Sequence, residues 1–195
     1  MMLYGLDIET DTSVDGLDPD NSRIVAVALA SSTREWVFQG DEAQLLAELD
    51  DVLGALPSGT LVTWNGANFD LPFLARRAAV RSVHLALDLR RDPGIALRCD
   101  PLPGETGAYR ARWHSHGHLD GYRLYRADVG VLGWSCGLKA VARLVGLDLV
   151  EVDASEIHLL SEHEIRDYVA SDARLARELV ARRMPAAATF ADRWP

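Results

Sequence analysis

Only two cysteines, Cys99 and Cys136, occur among the 195 residues. They stand far apart and show none of the paired spacing of a zinc site. One disulfide at most could form, and a reduced cytoplasmic pair is the expectation. No uninterrupted apolar run approaches the ~20 residues of a membrane span, so no membrane association is expected. The opening Met1-Met2-Leu3-Tyr4-Gly5-Leu6-Asp7 lacks a basic start and meets an acid too early for a signal peptide. Glycine-rich phosphate loops, a nucleophile elbow and a Cys-His pair are also absent, which excludes several routes to nucleotide binding and covalent catalysis. Basic residues are scarce against acidic ones, 20 to 29, for a net charge of -9. That deficit weighs against a nucleic-acid partner. Its distribution restores the possibility: residues 76–126 hold ten Arg against five acids, near +5, and the remainder carries -14. A basic middle could meet phosphates, or it could be an unevenly charged solvated surface.

What is present suits one domain with a substantial core, since 48% of the chain is hydrophobic. The expected core covers residues 3–183, with a tail over 184–195. Residues 3–10 read as a strand, and 11–22, rich in Asp, Gly, Pro and Ser, as a loop. The β-branched and apolar run 23–31 reads as a buried strand, and 35–39 as its hairpin partner. Leucines at helical spacing over 41–56 predict a helix capped by Asp41. A short strand is expected at 60–64, then a helix at 71–79 with Pro72 in its first turn. A strand near 84–89 should lead into a long loop over 90–117. Helix is expected at 122–132 and from a Ser135 cap to Val145, ended by Gly146. Ser161 and Glu164 form a capping box for a helix to about Arg183. The element order predicts an α/β fold with a mixed sheet of about five strands flanked by helices.

Five side chains stand out chemically. Asp7 and Glu9 lie two apart on a strand, so both face one side while Leu6 and Ile8 face the other. Paired carboxylates repel and are costly to bury, which a divalent cation would relieve. An acidic solvated edge is the alternative, and the apolar flanks favour a central strand. On the last helix, Ile165, Val169, Ala176 and Leu179 form one apolar stripe at 100° per residue, and Asp172 falls inside it. A carboxylate there requires a cation, or an arginine such as Arg143. Tyr168 lies one turn earlier on the same side. Asp70, before Pro72, has the makings of a helix cap, a role compatible with metal binding. His114, His116 and His118 alternate; they could line one strand face as a transition-metal site or sit in a polar loop. Asp120 could border the cleft or cap the next helix. Tyr109 and Trp113, among Arg110 and Arg112, could stack on unpaired bases or pack on the domain.

Taken together, Asp7-Ile8-Glu9-Thr10, the run from Asn65 through Phe69-Asp70, and Tyr168-Val169-Ala170-Ser171-Asp172 resemble the three motifs of the DEDD superfamily of 3′-5′ exonucleases. The subgroup is the one with tyrosine in its last motif, because the position where its sister subgroup carries histidine is Asp167. The first motif, and the stretch from His118-Leu119-Asp120 through Ser135 and Leu138 to Leu144, resemble most the proofreading exonuclease domain of family B DNA polymerases. The likeness runs over residues 4–180. It implies a ribonuclease H-like fold and two divalent cations, Mg²⁺ or Mn²⁺. By that likeness Asp7 would bridge both ions. Glu9 and Asp172 would hold the water-activating one, and Asp70 would support the second. Tyr168 would orient the attacking water. Thr10, Asn65 and Phe69 would contact the substrate. The implied substrate is the 3′ end of single-stranded DNA, or of RNA as in ribonuclease D. The implied partner is a polymerase or repair protein. No polymerase domain follows, so a stand-alone domain or a subunit is expected. A non-catalytic nucleic-acid or partner-binding domain is the remaining alternative. Residues 90–117 match nothing in that family.

Overall fold

The structure, a computed structural model, describes residues 1–92 and 108–183. In chain order the elements are strands β1 (Met2–Thr10), β2 (Ile24–Ala30) and β3 (Glu35–Gln39), helix α1 (Glu42–Ala55), strand β4 (Gly59–Thr63) and helix α2 (Asp70–Arg81). Strands β5 (Leu87–Asp92), β6 (Ala108–Trp113) and β7 (His116–Asp120) follow, then helices α3 (Gly121–Val131), α4 (Leu138–Leu144) and α5 (Glu162–Arg182). A short 3-10 helix, Ala154–Leu159, precedes α5.

One mixed sheet has the order β3-β2-β1-β4-β7-β6-β5. β1 lies inside it, antiparallel to β2 and parallel to β4. That is the α/β architecture expected, with seven strands where the sequence suggested about five. The strand expected near 84–89 is β5, displaced to Leu87–Asp92, and the two additional strands are β6 and β7, of which β6 lies within the expected 90–117 loop and β7 begins in its last residues. β5 reads Leu-Asp-Leu-Arg-Arg-Asp and is the last strand of the sheet, where charged side chains reach water without leaving the ladder. Residues 93–107 of that loop, Cys99 among them, and the expected tail 184–195 lie outside the described residues.

The alternation of β1 divides the molecule into two layers. Tyr4, Leu6 and Ile8 pack with Leu45, Leu46, Leu49 and Leu53 of α1 and with Leu71, Phe73 and Leu74 of α2. Gly5, on the opposite face, lies under α5. Ala26, Ala28 and Ala30 of β2 pack there with Val169, Ala170 and Ala173 of the helix. Small residues on both surfaces let α5 approach closely. A Cβ on Gly5 would stand 1.8 Å from the Ala173 carbonyl oxygen, which backbone on both sides prevents from yielding. Gly5→Ala is therefore expected to cost more than about 3 kcal/mol and lower the melting temperature by roughly 10 °C. Thermal denaturation followed by circular dichroism checks this, and an unchanged melting temperature would contradict the packing.

Local signals account for most helix starts. Asp41 accepts from the N–H groups of Ala43 and Gln44, and Ser161 with Glu164 forms the full capping box. Two expected caps are corrected. α4 begins at Leu138 with Gly137 as its cap, while the Ser135 hydroxyl accepts only from Gly137 N. α2 begins at Asp70 itself, and the preceding Phe69 occupies the cap position without a side-chain bond. The Asp70 carboxyl points elsewhere. The basic middle is also partly neutralised. Buried Arg77 grips Glu42 at 2.6 Å and donates to the Pro19 carbonyl, and Arg76 pairs with Asp20. Both tie the loop after β1 to α2. Among the described residues, no helix is long and apolar enough to cross a membrane.

Candidate active site

β4 stays paired with β1 only as far as Gly5 and Val62. The chain then turns at Asn65, whose φ is 67°, and enters α2 at Asp70. The Ile8 N–H, beyond the last residue of β1 paired with β4, acts on the Asp70 carboxyl and favours its ionised form. Divergence of two parallel strands thus opens a gap at the end of β1, and one acid from α2 enters it. Asp7 and Glu9 come from β1 on the α5 side, and Asp172 comes down from α5. One carboxylate oxygen from each of Asp7, Glu9 and Asp172 lies within 4.8 Å of the others. Among the described residues no other set of three His, Cys, Asp or Glu side chains is brought together in this way.

Asp70 stands just outside that group, yet its charge acts on it. Burial pushes the Asp7 carboxyl well above the usual carboxylate range, and of the neighbouring charges Asp70 contributes most, ahead of Asp172 and Glu9. Burial with the Asp172 charge raises Glu9 to about 8. Burial raises Asp70 to about 7, opposed by backbone N–H groups, and Asp172 to about 6, opposed by Lys139. Four carboxyls raised by burial, two of them (Asp7 and Glu9) also by the charges of the others, form a site that a cation would relieve. Asp172 Oδ1 is moreover buried with no hydrogen-bond partner. Hard carboxylate oxygens and an unsatisfied acceptor fit Mg²⁺ or Mn²⁺.

Tyr168 lies one turn before Asp172, 6% exposed, its hydroxyl pushed far up by burial and by the charges of Glu9, Asp172 and Asp7. The Lys139 ammonium of α4 sits 3.5 Å above the Tyr168 ring and 3.3 Å from Asp172 Oδ2. Lys139 therefore holds the place considered for Arg143, which pairs instead with Glu151. Lys139 belongs to none of the acidic motifs, yet one feature of the sequence marks it: it is the single lysine of a chain with 19 arginines.

The remaining candidates divide. Thr10 is buried and donates its hydroxyl to the Gly16 carbonyl at 2.7 Å. The Asn65 side-chain oxygen accepts from Asn68, and Phe69 packs its ring against Phe73 beside Asp70. Asp120 caps α3 and accepts from the N–H groups of Asn65, Ala67 and Tyr122, so it holds the turn leading to Asp70. The three alternating histidines form no metal site. His114 lies in a turn with φ 49° and bonds to α1. His116 is fully buried and bonds to the Leu53 carbonyl, and His118 bonds to the Thr63 hydroxyl. Burial, then the Arg123 charge, lowers His118 to about 3. Trp113 is fully buried and donates to Asp50, which removes it from any stacking role.

A mixed sheet whose interior strand presents two acids beneath the last helix defines an α/β fold of ribonuclease H type. The chain belongs to the RNase H superfamily, whose family model matches residues 5–174. It is 33% identical over 118 residues to a catalytic subunit of DNA polymerase epsilon from Arabidopsis thaliana, covering 60% of this chain and 5% of that protein. It is 29% identical over 140 residues to the corresponding catalytic subunit of Candida glabrata DNA polymerase epsilon, covering 67% of this chain and 6% of that one. The chain thus spans only about a twentieth of the curated relatives it matches. In fold it resembles the family B DNA polymerase of Pyrobaculum calidifontis, with a TM-score of 0.69 at 19% identity, over 95% of this chain and 25% of that one. Superfamily membership and the polymerase likeness support a nuclease function in general.

Proposed function

We propose that the chain is a 3′-5′ exonuclease, one domain over residues 1–195, that hydrolyses single-stranded DNA to nucleoside monophosphates with two divalent cations. The observation that carries this reading is the meeting of Asp7, Glu9 and Asp172 within 4.8 Å beneath α5. Asp7, Glu9, Asp70 and Asp172 would hold Mg²⁺ or Mn²⁺. When bound, such ions activate water and stabilise charge on a phosphoryl group undergoing in-line displacement. The chain's own side chains supply the rest. The Tyr168 hydroxyl, kept protonated by burial beside three acids, can donate to or orient an attacking water. Helix α5 holds Tyr168 and Asp172 one turn apart, so water orientation and ion binding share a rigid base. Thr10, Asn65 and Phe69 are assigned to the terminal nucleotide. A DNA polymerase or repair protein is the assigned partner.

Digestion of a 5′-labelled single strand with Mg²⁺ or Mn²⁺ tests the reading, with EDTA and Asp7→Ala as controls. The expected result is a ladder of products shortened from the 3′ end, lost in both controls. Cleavage indifferent to both would reject the proposal. A matched RNA strand in the same assay decides the sugar, and a strong RNA preference would move the assignment to a ribonuclease D-like activity. Strand binding without turnover under several divalent metals would leave only a binding domain.

A further inference from the structure

Lys139 combines features that a purely structural ion pair does not require. Its ammonium is buried and stands 3.3 Å from Asp172 Oδ2 as an ion pair. It rests on the Tyr168 ring at 3.5 Å, a cation–π contact that fixes it on the inner side of α5. Its charge reaches all three clustered acids, since it opposes the raised values of Asp7 and Glu9 as well as that of Asp172. Every other basic residue of the chain is arginine or histidine. A guanidinium is planar and forked, whereas an ammonium is a compact point charge, closer in shape to a bound ion.

We infer that the Lys139 ammonium is the built-in counter-cation of the Asp7–Glu9–Asp172 cluster, holding the metal-free site together while opposing, and so setting, its affinity for divalent cations. The inference rests on the metal-site reading above and concerns a positioning residue on α4. A positive charge beside an incoming cation raises the free energy of the loaded state. Removing it leaves the acids with less compensation before loading and more attraction for the ion. Lys139 then ties the packing of α4 on α5 to the loading of the site. An ion pair that served only to seat α4 would influence folding and leave cation affinity unchanged.

Mn²⁺ binding is measured by calorimetry in folded wild-type protein, Lys139→Met and Lys139→Gln, on the alkaline side of neutrality where protons compete least. Both neutral variants should bind Mn²⁺ at least about tenfold more tightly than wild type. Their metal-free forms should melt lower, with a larger rise on Mn²⁺ addition. Unchanged or weaker Mn²⁺ affinity in both variants overturns the inference and leaves the metal-site reading standing. Absence of Mn²⁺ binding by folded wild type overturns both. Should neither variant fold, the magnetic resonance spectrum of wild type carrying isotope-labelled lysine decides, because its single side-chain resonance belongs to Lys139. A shift that saturates with Mg²⁺ supports a shared site, and no shift overturns it.

Discussion

Glu9→Gln is expected to reduce cleavage of a single-stranded DNA by on the order of 10³-fold or more while leaving the protein folded and no less stable without metal. The two halves of this result have one cause. Glu9 offers a carboxylate oxygen to the cluster, and its ionisation is resisted by burial and by the charges of Asp172 and Asp70. An amide of the same shape removes that resistance, so metal-free stability is held or gains. It also removes a ligand charge that a divalent cation needs, so activity collapses. Single-turnover digestion and thermal melting on the same preparation measure both. A variant that unfolds would mark Glu9 as a structural residue, and a variant that cuts normally would remove it from the site.

The second large effect is a dependence of metal-free stability on pH, reversed by metal. Carboxyls of an unfolded chain titrate near about 4. In the folded protein Asp172 is raised to about 6, Asp70 to about 7 and Glu9 to about 8. A carboxyl whose folded value is raised stabilises the fold while protonated, and that contribution disappears as pH climbs through the folded value. The metal-free protein should therefore lose about 5–10 °C of melting temperature between roughly pH 6.5 and 9. Excess Mg²⁺ or Mn²⁺ should recover the loss, because a cation that binds only the folded, ionised cluster shifts the equilibrium by mass action. Towards acid His118 works in the opposite sense. Its value is lowered to about 3, so below an unfolded value of about 6.5 its burial as a neutral ring costs stability. The alkaline limb thus reports the carboxyls. Melting in EDTA across this range, then with metal, checks the sign, and a metal-free protein that grows more stable towards pH 9 would remove the electrostatic basis of the site.

These two results and the Lys139 titration address different links. Glu9→Gln probes the ligand set, the pH series probes the burial of the whole cluster, and Lys139 probes the charge that faces it across α4 and α5. The Gly5→Ala variant probes what holds β1 and α5 close enough for any of them to matter.

Much of this arrangement is written in local pattern. Asp172 lies within a stripe of Ile165, Val169, Ala176 and Leu179, and all five are buried, because a helix repeats faithfully every 3.6 residues. Asp7 and Glu9 share a face because strand side chains alternate, and the Ser161 capping box starts α5 because its bonds close within one turn. Other features depend on partners distant in sequence, which no local period records. Asp70 reads as a cap, but it is the first residue of α2, and β4 leaves β1 before Ile8, whose N–H acts on the Asp70 carboxyl. The alternating histidines suggest a metal, yet the Leu53 carbonyl and the Thr63 hydroxyl take up His116 and His118. The strand expected near 84–89 runs instead to Asp92, because at the sheet edge its charged residues can reach water. Lys139 faces Asp172 because α4 packs on α5. The sequence by itself thus determined which acids lie on inward-facing surfaces, since backbone geometry sets that residue by residue. Which of them meet, and which cation stands opposite, was decided only when distant elements packed together and burial left each charge to find its partner in space.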